Sequence, residues 1–177
     1  MLTKTPSDRA HAKLRAQQLN TCSICPRPCF NGPERLVGIG FRCWLAGYQT
    51  GDIACWEQAW DVFAGELGAS RAKIAITELS CWTRAISQSA LRPIEVFPRP
   101  CANFCRDECI AVSMVAASQH NACSALQTCA FALLENAEVD DVTEGAANFA
   151  NALRSIDVVL SPVVILNAMT AAQGPVF

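Results

Sequence analysis

Apolar side chains return every three or four residues through most of this chain. In 52–67, DIACWEQAWDVFAGEL, the positions Ile53, Trp56, Trp60, Phe63 and Leu67 mark one face of a helix. Asp52 is a natural N-cap for it and Gly68 a natural stop. In 70–88 the same rhythm runs through Ala75, Leu79, Trp82 and Ile86, with Ser70 as cap. In 141–156 it runs through Val142, Ala146, Phe149, Leu153 and Ile156, with Asp141 and Glu144 spaced as a capping box. Further helices are predicted over 7–19, capped by Ser7 and mostly polar, over 101–118 and over 121–136. Segment 21–41 holds Pro26, Pro28, Gly32, Pro33, Gly38 and Gly40 and reads as loop, with a short helix at 42–49. Segment 91–100, LRPIEVFPRP, reads as extended, because residues before proline avoid the helical region.

No strand pairing is required anywhere. The pattern predicts an all-α fold: one helical bundle of about five to six helices with a Cys/Pro/Gly-rich N-terminal loop. It divides 1–177 into an N-terminal helix and cysteine loop (1–41), a bundle (42–160) and an apolar tail (161–177). In that tail and the residues before it, Asp157, Pro162 and Asn167 interrupt the longest apolar run, so it falls short of a membrane span and suits a buried or partner-packed segment.

The chain is 177 residues long with a net charge of −2. No basic block stands out, so a nucleic-acid footprint is not indicated. The excess of Arg over Lys and the many alanines point to a bacterial gene. The first twenty residues have no apolar core of a signal peptide. A cytoplasmic location follows as the expectation, and disulfides are then not expected.

Eleven cysteines are the compositional outlier, and their odd number argues against a fully paired framework. Two groups share the tetrapeptide Pro-Arg-Pro-Cys. The first, Cys22-x2-Cys25-x3-Cys29, lies in the predicted loop. A C-x2-C pair can turn two thiolates on one centre, and a third Cys can join them, as in iron–sulfur ligation. Cys43 is the nearest fourth ligand in sequence. The second group, Cys101-x3-Cys105-x3-Cys109, would line one stripe of the predicted helix, with Cys101 in a first turn that favours thiolate. These three are either additional metal ligands or small core residues. The CxxxC steps resemble those of cytosolic copper-storage bundles, a likeness spanning this one helix.

Cys55, Cys81, Cys123 and Cys129 are isolated and read as structural. His11 and His120 belong to no metal-binding helical motif, and Gly38-x-Gly40 is too short for a phosphate loop. Asp107-Glu108 and Asp140-Asp141 read as solvated charges at helix ends, and Trp44, Trp56, Trp60 and Trp82 as core. The scarcity of His beside so much Cys favours soft-metal thiolate chemistry. An iron–sulfur centre for electron transfer, sensing or cluster delivery is the leading expectation. Structural zinc and Cu(I) storage or trafficking are the alternatives. Catalysis by Cys101 is disfavoured, since no base is placed beside it. A protein partner or a second copy would suit the apolar helix faces.

Overall fold

The computed structural model describes residues 30–99 and 101–165. The predicted helix over 7–19 and Cys22, Cys25 and Cys29 lie outside the described residues, as do positions 166–177. Six helices lie wholly among the described residues: α1 (Pro33–Thr50), α2 (Ile53–Leu67), α3 (Ala69–Ser89), α4 (Arg106–Gln119), α5 (Cys123–Leu134) and α6 (Asp140–Ser155). No strand occurs among the described residues, and the fold is all-α.

Local chemistry sets several boundaries where the pattern put them. Asp52 caps α2 by accepting the Ala54 N–H at 3.0 Å. Gly51 ends α1 and Gly68 separates α2 from α3 by taking the positive φ values 71° and 81° that other residues resist. The predicted capping box of Asp141 and Glu144 is not formed. Helix α6 starts at Asp140 behind Val139, with no side-chain cap, and its two leading carboxylates face the positive end of the helix dipole.

The predicted inner faces of α3 and α6 are the real ones. Ala75, Leu79, Trp82 and Ile86 are buried, and so are Val142, Ala146, Phe149, Leu153 and Ile156. Trp82 stacks on Phe149 with ring centroids 5.7 Å apart and meets Phe41 at 5.8 Å. Gly145 lets this happen: a Cβ there would lie 3.1 Å from the indole. On α2 the buried face is instead Cys55, Ala59 and Phe63, and the predicted Ile53 and Trp60 are 63% and 38% exposed. This helix packs mainly on α1 and α3, and among the described residues no other element covers its outer side.

Two predicted elements need correction. Segment 33–41 is helix, not loop: Pro33 occupies the first turn, where its missing N–H costs nothing, and α1 then runs unbroken to Thr50. Its glycines mark close approach, not breakage. A Cβ on Gly38 would meet Phe104 at 2.5 Å, one on Gly40 would meet Phe63 at 2.6 Å, and one on Gly47 would overlap Trp56. The second correction is that α4 begins at Arg106, so residues 101–105 are irregular and the three cysteines do not share a helical stripe. Every residue of α4 from Asp107 to Ala117 is buried, as expected of a helix enclosed on all sides. It packs on α1, α5 and α6.

The chain after α6 returns to this centre. Val158, Leu160, Val164 and Ile165 are buried. The Gln119 amide donates to Val158 O at 2.9 Å and its oxygen accepts the Leu160 N–H at 2.8 Å. Glu34 accepts the Ser161 N–H at 2.5 Å, which ties this segment to the start of α1.

Candidate metal centre

The irregular stretch between α3 and α4 is held by charge. Arg42 projects from the apolar α1 sequence GIGFRCWL, and its side chain is 2% exposed. Its Nε donates to Glu108 Oε1 at 2.6 Å, and its Nη2 donates to Glu108 Oε2 at 3.1 Å. Its Nη1 and Nη2 also donate to the carbonyls of Cys101 and Asn103, both at 2.6 Å. The guanidinium also lies over the Phe104 ring, 4.8 Å from its centroid. Carbonyls engaged by Arg42 are not offered to a helix, which accounts for the irregular backbone at 101–105.

Glu108 is equally satisfied. Besides Arg42 it accepts the Phe97 N–H at 3.1 Å and the Cys105 N–H at 2.7 Å. With Cys105 as N-cap, this is a capping box in which a thiol stands where Ser or Thr is usual. Asp107 works beside it, accepting a two-pronged bond from Arg92 at 2.7 Å on each oxygen and the Glu95 N–H at 2.9 Å. The expectation that Asp107 and Glu108 are solvated helix-end charges is therefore overturned: they are 3% and 0% exposed. Buried carboxylates persist because each one is paired and hydrogen-bonded. The extended 92–99 segment, which has no helical bonds of its own, lends its N–H groups to the purpose.

No disulfide joins two of the described cysteines. Cys43 on α1 and Cys55 on α2 are 1% and 3% exposed. Burial pushes the Cys43 thiol up to about 11, against a smaller opposite pull from Arg42. Cys105 donates its thiol to Glu95 O at 3.1 Å, and burial, aided by the Glu108 charge, pushes it up to about 12. The helix N-terminus, expected to favour thiolate at Cys101, instead receives Cys105, and desolvation outweighs the dipole there. Cys109 is buried within α4, and Cys129 is pushed up to about 11 by burial alone. Cys81 and Cys123 are exposed, while Cys101 is part-exposed. Among the described residues no three His, Cys, Asp or Glu side chains gather as a metal site.

Cys101 opens on a cleft of about 410 Å³ lined by α1 and α2 together with Arg99 and Ala102. Arg35, Arg42 and Arg99 line it from one side, Asp61 and Glu66 from the other. Arg99 reaches Asp52 at 3.4 Å across the exposed rim. Near this cleft the N-terminal segment joins the bundle: Phe30, the residue after Cys29, is buried against Phe104 with centroids 5.0 Å apart. Phe104 is in turn the residue before Cys105, and Arg42 lies over its ring.

Of the seven candidate ligands, then, Cys43, Cys105 and Cys109 are enclosed, Cys101 faces a cleft, and Cys22, Cys25 and Cys29 lie outside the described residues. Sequence reasoning missed the Arg42–Glu108 clamp. Two signals were available: one Arg inside a glycine-rich apolar run, and Cys-Arg-Asp-Glu spaced as a capping box. The chain matches no family model, no curated protein and no solved structure.

Proposed function

We propose that this protein carries a thiolate-bound metal centre, an iron–sulfur cluster in the first instance, held by Cys22, Cys25, Cys29 and Cys101. Its role is electron transfer, sensing or cluster delivery. The carrying observation is the seating of Phe30 on Phe104 beside a cleft that Cys101 and three arginines line. A thiolate cluster is anionic, and nearby guanidinium groups would offset its charge. Cys101 replaces Cys43 as the preferred fourth ligand on accessibility: Cys43 is 1% exposed, and its thiol resists ionisation. Metal ligation needs the thiolate. The clamp would hold the ligand loop, since Arg42 bonds the carbonyl of Cys101 itself. A partner for exchange would find exposed apolar side chains at Leu91 and Phe131.

The test is anaerobic purification with a visible spectrum and metal analysis. The expected product is brown with a broad visible absorption. Cys25→Ser and Cys101→Ser should lose the chromophore, and Cys43→Ser and Cys129→Ser should keep it. A colourless, iron-free protein with intact thiols would sink the iron–sulfur reading. One equivalent of zinc would move the assignment to a structural site, and many equivalents of Cu(I) to storage.

A further inference from the structure

The outer side of α2 carries a stripe at helical spacing that nothing described covers. Ile53 is 63% exposed and Trp60 38% exposed. Glu57 and Asp61 are exposed between and beside them, one turn apart. Helix α2 contains no Lys or Arg, and among the described residues neither carboxylate is in an ion pair. Two exposed apolar side chains two turns apart, set among carboxylates of which Asp61 also borders the arginine-lined cleft, make a surface suited to a cationic, partly apolar partner.

The chain supplies one. Residues 1–29 hold five cations (Lys4, Arg9, Lys13, Arg15, Arg27) and one anion (Asp8), whereas 30–177 hold nine cations and fifteen anions. Within 7–19, Arg9 and Lys13 are one helical turn apart, as are Ala10 and Leu14. That matches the one-turn spacing of Glu57 and Asp61. Length fits as well: thirteen residues make about 20 Å of helix against about 22 Å for α2. The point of attachment fits too. Phe30 begins the bundle just before α1, and Arg35 and Ile39 of α1 share a cleft with Asp61, Gly65 and Glu66 of α2. The ten residues between positions 19 and 30 span up to roughly 33 Å, enough to reach any part of that helix.

From this juxtaposition we infer that residues 7–19 dock along the outer stripe of α2, with Arg9 and Lys13 against Asp61 and Glu57. Docking tethers the Cys22–Cys29 segment at both ends, by the stripe on one side and by Phe30 on the other. The inference goes beyond the metal reading and stands without it.

The chain has three lysines, Lys4, Lys13 and Lys73, which makes zero-length carbodiimide coupling readable. Full-length protein, mixed as equal parts ¹⁵N-labelled and unlabelled chains, is coupled, digested and mapped by mass spectrometry. The expected result is Lys13 joined to Glu57 or Asp61 within chains of one label. Coupled pairs that mix the two labels would give the stripe to a second copy and overturn the inference. So would coupling of Lys13 solely to other carboxylates, or none at all. A second measurement needs no coupling. The surface double variant Glu57→Lys, Asp61→Lys should raise tryptic cleavage after Arg9, Lys13 and Arg15 by roughly fivefold. An unchanged rate would also overturn it.

Discussion

The two halves of this bundle are fastened by opposite means. At the α3–α6 seam, Trp82, Phe149, Leu79 and Leu153 bury apolar surface against each other, and the indole N–H of Trp82 has no acceptor among the described residues. Shape and area carry that seam. At the α1–α4 side, Arg42 and Glu108 are as deeply buried, but each is held by at least four hydrogen bonds, several of them to the non-helical backbone at 97–105. Burial alone therefore does not say what a position requires. The seam requires volume. The clamp requires a particular charge with particular donors around it.

Substitution at the two centres should show that difference most strongly. Glu108→Ala and Phe149→Ala should each cost about 3–5 kcal/mol in urea unfolding, one by stranding the Arg42 charge, the other by opening a cavity. The volume-sparing replacements then part company. Phe149→Leu should recover most of the loss. Glu108→Gln should recover little, because a neutral amide still leaves Arg42 without its counter-charge. Equal recovery at both positions would break the comparison.

The buried thiols give the next effect in size. Cys129 ionises only near 11 in the fold against an ordinary 9.0. Its pKa is raised on folding, so its proton-linked stability is complete below pH 9 and is lost as pH rises towards 11. The loss should reach about 2–3 kcal/mol. Cys43 and Cys105 add to it in the same direction. Denaturation series at rising pH should therefore steepen above 9, and Cys129→Ala should flatten the slope. An unchanged slope would refute burial as the cause.

Gly38→Ala tests the joint between the two regimes, since its new methyl would press on Phe104 beneath the Arg42 guanidinium. A cost of about 1–3 kcal/mol is expected, with a faster thiol reaction at Cys105 as the loop shifts. The smallest effect belongs to the rim. Arg99→Ala removes the exposed pair with Asp52 and should change stability by less than about 1 kcal/mol.

Much of this architecture was legible in the chain. The faces of α3 and α6 could be read residue by residue, because a helix with neighbours on one side must place its apolar residues there. The glycines of α1 misled, since a glycine that breaks a helix and one that admits a ring look alike until Phe104, Phe63 and Trp56 are in place. Ile53 and Trp60 misled in the opposite sense: their spacing is helical, but no described element covers them. For the candidate centre, spacing singled out the cysteines and could not rank them, because ligation depends on exposure and charge.

By itself the sequence determined that this chain is helical, where α2 starts and stops, which faces of α3 and α6 turn inward, and that cysteine is its compositional outlier. These follow from local periodicity and local hydrogen bonding. The tertiary structure alone decided that Cys101 would face a cleft, and that Asp107 and Glu108 would be buried. Those outcomes turn on Arg42 and Arg92, which stand 66 and 15 residues from their carboxylate partners. Electrostatic pairing at such separations leaves no periodic trace in the chain.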